Sequence, residues 1–224
     1  MMKTKRAFIG LSLAVLLVFG WIAVHAKPDL PPLDDGDLIF QTSTSSQSLA
    51  ILMATASTYT HMGIIRHRAG QLVVIEAAGR VRETPLDAWI ARGLFKRVAI
   101  YRDPALTPAQ VETVLTSAGG LYGRPYDIFF SFENDAIYCS ELPYRAYQAA
   151  GIELGRVQTV SELNMDNVAV KSLIRKRWQS HAPCKENGFG FDQCYAAILQ
   201  QTLITPVSIA DDKRLRLVFS NYPL

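Results

Sequence analysis

The chain has 224 residues, of which 49% are apolar and 19% charged, with 14 Gly and 11 Pro. That length can bury one full core, and the composition excludes a disordered tail and a collagen-like or low-complexity chain. Three of the 23 basic residues, Lys3, Lys5 and Arg6, stand in an acid-free leader, so the rest of the chain balances its 20 acidic residues and has no electrostatic footprint for nucleic acid.

Residues 1–6 are polar and cationic, residues 7–24 carry no charge, and the run closes on Val24-His25-Ala26 before Lys27-Pro28. A positive start, an apolar middle and small residues three and one before a cut predict a secretory signal peptide over residues 1–26. Left uncut, the same stretch is an anchor at the lower limit of bilayer span, and it is the only part of the chain expected to contact a membrane. Both readings export the body, to the periplasm or cell envelope.

Residues 27–35 are a Pro-rich lead-in, and a short strand is expected over 37–41. Residues 46–57 carry apolar side chains at helical spacing behind capping serines. Strands over 61–67 and 71–77 are joined by the turn Arg68-Ala69-Gly70, and 81–84 pairs next. Pro85 opens a short helix to residue 92, and 95–102 alternates as a strand. Thr107-Pro108 starts a helix that Gly119-Gly120 ends. After an aromatic-rich loop, the apolar spacing predicts a helix over 139–150, stopped by Gly151. From residue 152 the pattern is less regular, with a helix near 193–202 and a strand near 215–220. No repeat and no linker interrupts the chain, so residues 27–224 read as one α+β domain with a C-terminal extension from about residue 152.

An odd number of cysteines in an exported chain leaves one thiol unpaired. Cys184 and Cys194 bracket a polar, Gly-containing run and are expected to close it as a disulfide, which leaves Cys139 free. A free Cys is often simply a buried hydrophobe. At a helix start, however, unbonded backbone amides favour a thiolate and can hold an oxyanion. Pro143 then has to belong to the first helical turn.

Of the histidines, His25 is in the leader, His181 lies in an irregular polar stretch beside the cysteines, and His67 sits between Arg66 and Arg68 in a solvated setting. His61 remains, as a structural strand residue or as a base. Gly63 beside it lets a backbone or a substrate come close. Glu76 breaks the apolar run 72–75 in the adjacent strand. It is either an edge acid facing water or the carboxylate that accepts a ring N–H from His61.

Taken together, Thr60-His61-Met62-Gly63-Ile64, Val74-Ile75-Glu76-Ala77, Gly123-Arg124-Pro125-Tyr126-Asp127 and Tyr138-Cys139-Ser140-Glu141-Leu142 resemble the YiiX/YebB-like group of NlpC-type cysteine hydrolases. The resemblance covers roughly residues 36–151. It implies a circularly permuted papain-like fold, an antiparallel sheet packed against helices, with Cys139 as nucleophile, His61 as base and Glu76 as its orienting partner. Tyr126 and Asp127 match the family's Tyr-Asp segment and read as a structural turn or a substrate contact. Tyr59 and Tyr138 flank the proposed His and Cys, where a phenol can donate to an oxyanion or pack. The C-terminal part with its Cys pair has no counterpart in the resemblance.

The sequence has no His-Glu-x-x-His, no Gly-x-Ser-x-Gly and no phosphate loop, so neither a metal nor a cofactor is expected. The expected activity is a thiol hydrolase cleaving an amide through an acyl-enzyme, with a cell-wall peptide as the first choice of substrate and an acyl amide as the other. The competing readings are a lipid-directed acyl hydrolase or acyltransferase and an idle binding module.

Overall fold

The structure, a computed structural model, describes residues 28–223. The signal-peptide expectation lies outside the described residues. No helix among them is long and apolar enough to cross a membrane.

β1 (Leu38–Ser43) is followed by α1 (Ser48–Thr55). β2 (His61–Arg68) and β3 (Gln71–Ala78) form a hairpin whose turn places Ala69 at φ 49° and Gly70 at φ 78°, the paired left-handed positions of a tight hairpin turn. β4 (Arg80–Pro85) pairs back on β3, and α2 (Leu86–Arg92) leads into β5 (Gly93–Arg102). α3 (Pro108–Gly119) starts in a capping box in which Thr107 and Gln110 satisfy each other's backbone amides. α4 (Glu141–Ala149) follows the aromatic loop. Beyond it come β6 (Gln158–Thr159), α5 (Val168–Arg177), α6 (Ala182–Glu186), α7 (Phe191–Gln200), β7 (Thr202–Leu203), α8 (Pro206–Ala210) and β8 (Arg216–Ser220).

Six strands form one antiparallel sheet in the order β4-β3-β2-β1-β5-β8. Alternation along the strands divides its side chains between two cores. Leu38, Phe40, Met62, Ile64 and Ile75 pack with Val114 and Leu115 of α3 and with Leu142, Ala146 and Tyr147 of α4. Ile39, Ile65, Val74, Val98 and Ile100 pack instead under Leu86, Trp89 and Ile90 of α2. Burial on both faces is why runs such as 73–75 and 38–40 read as continuously apolar. This is the α+β architecture expected from the sequence, an antiparallel sheet packed against helices.

Three expectations need correction. Pro85 is the residue before α2 and not its first helical residue; its fixed φ suits either place. The helix expected to begin at the thiol starts two residues later, with Ser140 as its N-cap. Pro143 is consequently the third helical residue, where the amide has no partner inside the helix, so its missing N–H costs nothing. The irregular region after residue 152 is largely helical. The two cysteines lie in α6 and α7, joined by a disulfide that ties these helices together across a turn containing Gly188. The polar run therefore does not form a free loop.

Candidate active site

The thiol sits at the entrance to α4, held by its neighbours. The Ser140 hydroxyl donates to the Ile204 carbonyl (2.9 Å), and the Tyr138 hydroxyl accepts from Ile204 N (3.0 Å). Tyr138 N donates to Glu141 Oε2 (3.2 Å), while Arg145 Nε donates to Glu141 Oε1 (2.6 Å). Burial raises the Glu141 carboxyl pKa, against the pull of Arg145 and the Tyr138 amide. Between these fixed residues Cys139 is a free, buried thiol, 2% exposed.

His61, at the start of β2, is hydrogen-bonded to Glu76 and stands close enough to Cys139 for the sulfur to act on its titration. Its Nε2 lies 2.6 Å from Glu76 Oε2, which leaves Nδ1 for the sulfur. Burial alone lowers the imidazole pKa, but the hydrogen bonds and charges of Cys139 and Glu76 outweigh it and push the pKa up to about 9. The ring stacks on Trp89, with centroids 5.8 Å apart. The hairpin sets this geometry: a Cβ at Gly63 would fall 2.4 Å from Val74 Cγ1 and 2.6 Å from the Ile75 carbonyl, so β2 and β3 meet this closely only because position 63 is glycine. What comes close at Gly63 is therefore the neighbouring strand.

Glu76 is fully buried. Besides His61, its carboxylate accepts from Thr84 Oγ1 (2.6 Å), Trp89 Nε1 (3.0 Å) and Arg92 Nη2 (2.5 Å). Burial would raise its pKa, but His61, Thr84 and Arg92 bring it down to about 2. Glu76 is thus an ionised internal carboxylate, and the reading as an edge acid facing water does not hold. A fixed anion behind an imidazole whose other nitrogen meets a thiol is the arrangement that orients a base and stabilises its charged form.

The remaining candidates separate clearly. The Tyr126 hydroxyl accepts from Gln47 Nε2 (2.8 Å); burial first, and the neighbouring Cys139 second, raise its pKa. As a neutral donor beside the sulfur, it is placed to face an oxyanion. Gln47 is in turn held by Arg177, whose Nη1 donates to Gln47 Oε1 (3.1 Å) and to the Ile128 carbonyl (2.9 Å). Asp127 caps the next turn, accepting from Phe129 N, Ser131 N and Asn134 Nδ2, which is a structural role. Tyr138 donates no bond into the site; its ring packs on Phe130 and Phe132. Tyr59 points elsewhere, packing on Phe40, Tyr101 and Tyr222 with its hydroxyl 3.3 Å from that of Tyr101. His67 is half-exposed and bonded to Asp35. His181 differs from its expected polar setting: it is buried, with Nδ1 3.2 Å from Cys184 Sγ, and burial lowers its pKa.

Two spaces of opposite character flank the candidate residues, one lined by Cys139 and the other by His61. One is a narrow cavity of about 130 Å³ lined by Tyr138, Cys139 and Ser140, by Ala50, Ile51 and Ala54 of α1, by Val170, Leu173 and Ile174 of α5, and by Ile198 of α7. Its walls are almost wholly apolar, and its one charged lining residue, Arg177, is engaged by Gln47 and Ile128. The other is a polar cleft of about 310 Å³ that includes His61, Tyr126, Gln47 and Arg92.

Among the described residues, the one cluster of three His, Cys or acidic ligands close enough to hold an ion is His181, Cys184 and Cys194. With both sulfurs in a disulfide, that set lacks the thiolates a metal would need.

Residues 32–219 match the family described as permuted papain-like amidase enzyme, YaeF/YiiX, C92 family. The uncharacterized protein YiiX of Escherichia coli K12 is 33% identical over 191 residues, covering 84% of this chain and 87% of that protein. The crystal structure of the metalloprotein YiiX from Escherichia coli O157:H7 superposes with a TM-score of 0.74 at 33% identity, covering 85% of this chain and 98% of that one.

Proposed function

Because the chain belongs to the permuted papain-like amidases of the C92 family, we propose that it hydrolyses amides whose acyl half is a hydrocarbon chain, with Cys139 as nucleophile, His61 as base and Glu76 as orienting carboxylate. The observation that carries the choice of substrate is the narrow apolar cavity with Cys139 in its wall. A hydrocarbon chain gains from that burial. A peptide chain would bring amide groups into walls with almost no partners for them, at a cost of roughly 1–3 kcal/mol for each one unsatisfied. This favours an acyl amide over a cell-wall peptide.

In the reaction, His61, whose raised pKa keeps the proton it shares with Cys139 on the ring, holds that proton while the sulfur attacks the amide carbonyl, and the Tyr126 hydroxyl donates to the oxygen that becomes negative. Imidazolium, stabilised by Glu76, returns the proton to the departing nitrogen as the C–N bond breaks. Water then attacks the thioester with His61 as base, giving a free fatty acid and restoring the thiol. The leader and the disulfide support an exported enzyme working in the periplasm or cell envelope.

The test is incubation of the protein with N-acyl amides of graded chain length and with muropeptides, followed by mass spectrometry of the products, with Cys139→Ala as the control. Release of free acid, rising from the acetyl to about the decanoyl amide, is the expected result. Cleavage of muropeptides without turnover of any acyl amide would return the assignment to cell-wall peptides.

A further inference from the structure

The polar cleft lies on the His61 side of the thiol, and its lining has a definite chemistry. Gln41, Gln47, Thr60, His61, Arg92 and Tyr126 contribute to it, and no Asp or Glu is among the described residues that line it. Behind the cleft wall, two guanidiniums share one carboxylate: Arg92 Nη2 lies 2.5 Å and Arg82 Nε 3.9 Å from Glu76. A single Glu76 cannot neutralise both of these and His61, so this wall keeps an excess of positive charge. Among the described residues, the only buried side-chain polar atoms without hydrogen-bond partners are Gln41 Oε1 and Arg92 Nε, an acceptor and a donor on two residues of this same cleft. Gln41 is 2% exposed. Both atoms are closed off from solvent, Gln41 Oε1 against the backbone of Gly93, so what Arg92 offers the cleft is the rest of its guanidinium, on a side chain that is 34% exposed.

We propose that this cleft is the subsite for the amine half of the substrate and that it selects amines bearing an anionic group, so that the preferred substrates are N-acyl amides of anionic amines. The inference rests on the acyl-amide reading above and specifies its other half. With the hydrocarbon chain in the apolar cavity and the carbonyl at Cys139, the nitrogen of the scissile bond faces His61, its proton donor, and the group it carries extends into the cleft. A carboxylate or phosphate there meets the guanidinium of Arg92. A carboxylate on the α-carbon and a phosphate farther along the amine share this chemistry but differ in reach.

The experiment compares three substrates with one acyl chain on the full-length protein: N-decanoylglycine, N-decanoyl-O-phosphoethanolamine and the uncharged N-decanoylethanolamine. At least one anionic amide should exceed the neutral one in kcat/KM by about tenfold or more. Whether the carboxylate or the phosphate leads tells which reach the cleft fits. Arg92→Gln also loosens Glu76 and should slow every substrate, so the readout is the ratio of anionic to neutral kcat/KM. That ratio should collapse toward one in Arg92→Gln, survive in part in Arg92→Lys, and narrow in Arg82→Gln, whose side chain is half-exposed. A wild-type ratio near one, or a ratio that none of the three variants moves, would overturn the anionic subsite while leaving the acyl-amide reading intact. Failure of all three amides overturns that reading itself.

Discussion

Glu76 has no contact with solvent, and its charge persists because Thr84, Trp89, Arg92 and His61 all bond to it. In Glu76→Gln an amide can still hold the ring, but it cannot stabilise imidazolium and meets the Trp89 and Arg92 donors without charge. Turnover should fall roughly 10- to 10⁴-fold, whereas Cys139→Ala and His61→Ala should abolish it. The pH dependence follows from the same pair. The His61 pKa is raised to about 9, so its contribution to stability is complete below about pH 6.5 and is lost as the pH rises through 9. The Glu76 pKa is lowered to about 2, so its contribution is present above about pH 4.5 and is lost as the pH falls toward 2. Urea unfolding from pH 2 to 10 should therefore show a plateau between about 4.5 and 6.5 that Glu76→Gln flattens on both sides. A lone thiol, a histidine opening a strand and an acid in an apolar run marked Cys139, His61 and Glu76 as candidates with a structural alternative each, and the family resemblance supplied their roles. Gln47, Thr84, Trp89, Arg92 and Arg177 were not legible, because their roles arise only when distant segments meet. The one signal was indirect: a buried Glu76 needs donors, and Trp89 and Arg92, three apart on α2, share the face that supplies them.

At the scale of the element, β2 and β3 were readable from their short apolar runs and from their Gly-containing turn, whereas α5 and α6 were not. The segment 168–177 has apolar residues at 168, 170, 173 and 174 among four basic side chains, which leaves an incomplete stripe. α6 spans only five residues, too few to show a period. The hairpin offers the sharper test. Gly63→Ala places a methyl against Val74 and the Ile75 carbonyl, so β2 must separate from β3 where His61 and Glu76 meet. The expected cost is about 1–3 kcal/mol in urea unfolding, with a loss of turnover larger than the fraction unfolded explains. Full activity in Gly63→Ala would mean that the strand spacing does not set the His61–Glu76 distance.

For the whole molecule, the C-terminal part, for which the sequence resemblance offered no counterpart, falls within the family match over residues 32–219 and walls the cavity. α5 and α7 close it opposite α1, and Arg177 at the end of α5 reaches back to Gln47 and so to Tyr126. The disulfide ties α6 to α7 across a separation of 10 residues, and a closure this short contributes on the order of 3 kcal/mol at most. Because Cys184 and Cys194 are not among the residues lining the cavity, breaking their bond acts through the wall and not through the chemistry. Mild reduction, or Cys184→Ser with Cys194→Ser, should lower the melting temperature and raise KM for a decanoyl amide several-fold. An acetyl amide, which barely enters the cavity, should change little. Measuring kcat/KM for both substrates in oxidised and reduced protein separates the two effects. A drop shared equally by both amides would mean that the bond supports the catalytic residues. A drop confined to the long chain would place its role in holding the wall against the hydrocarbon.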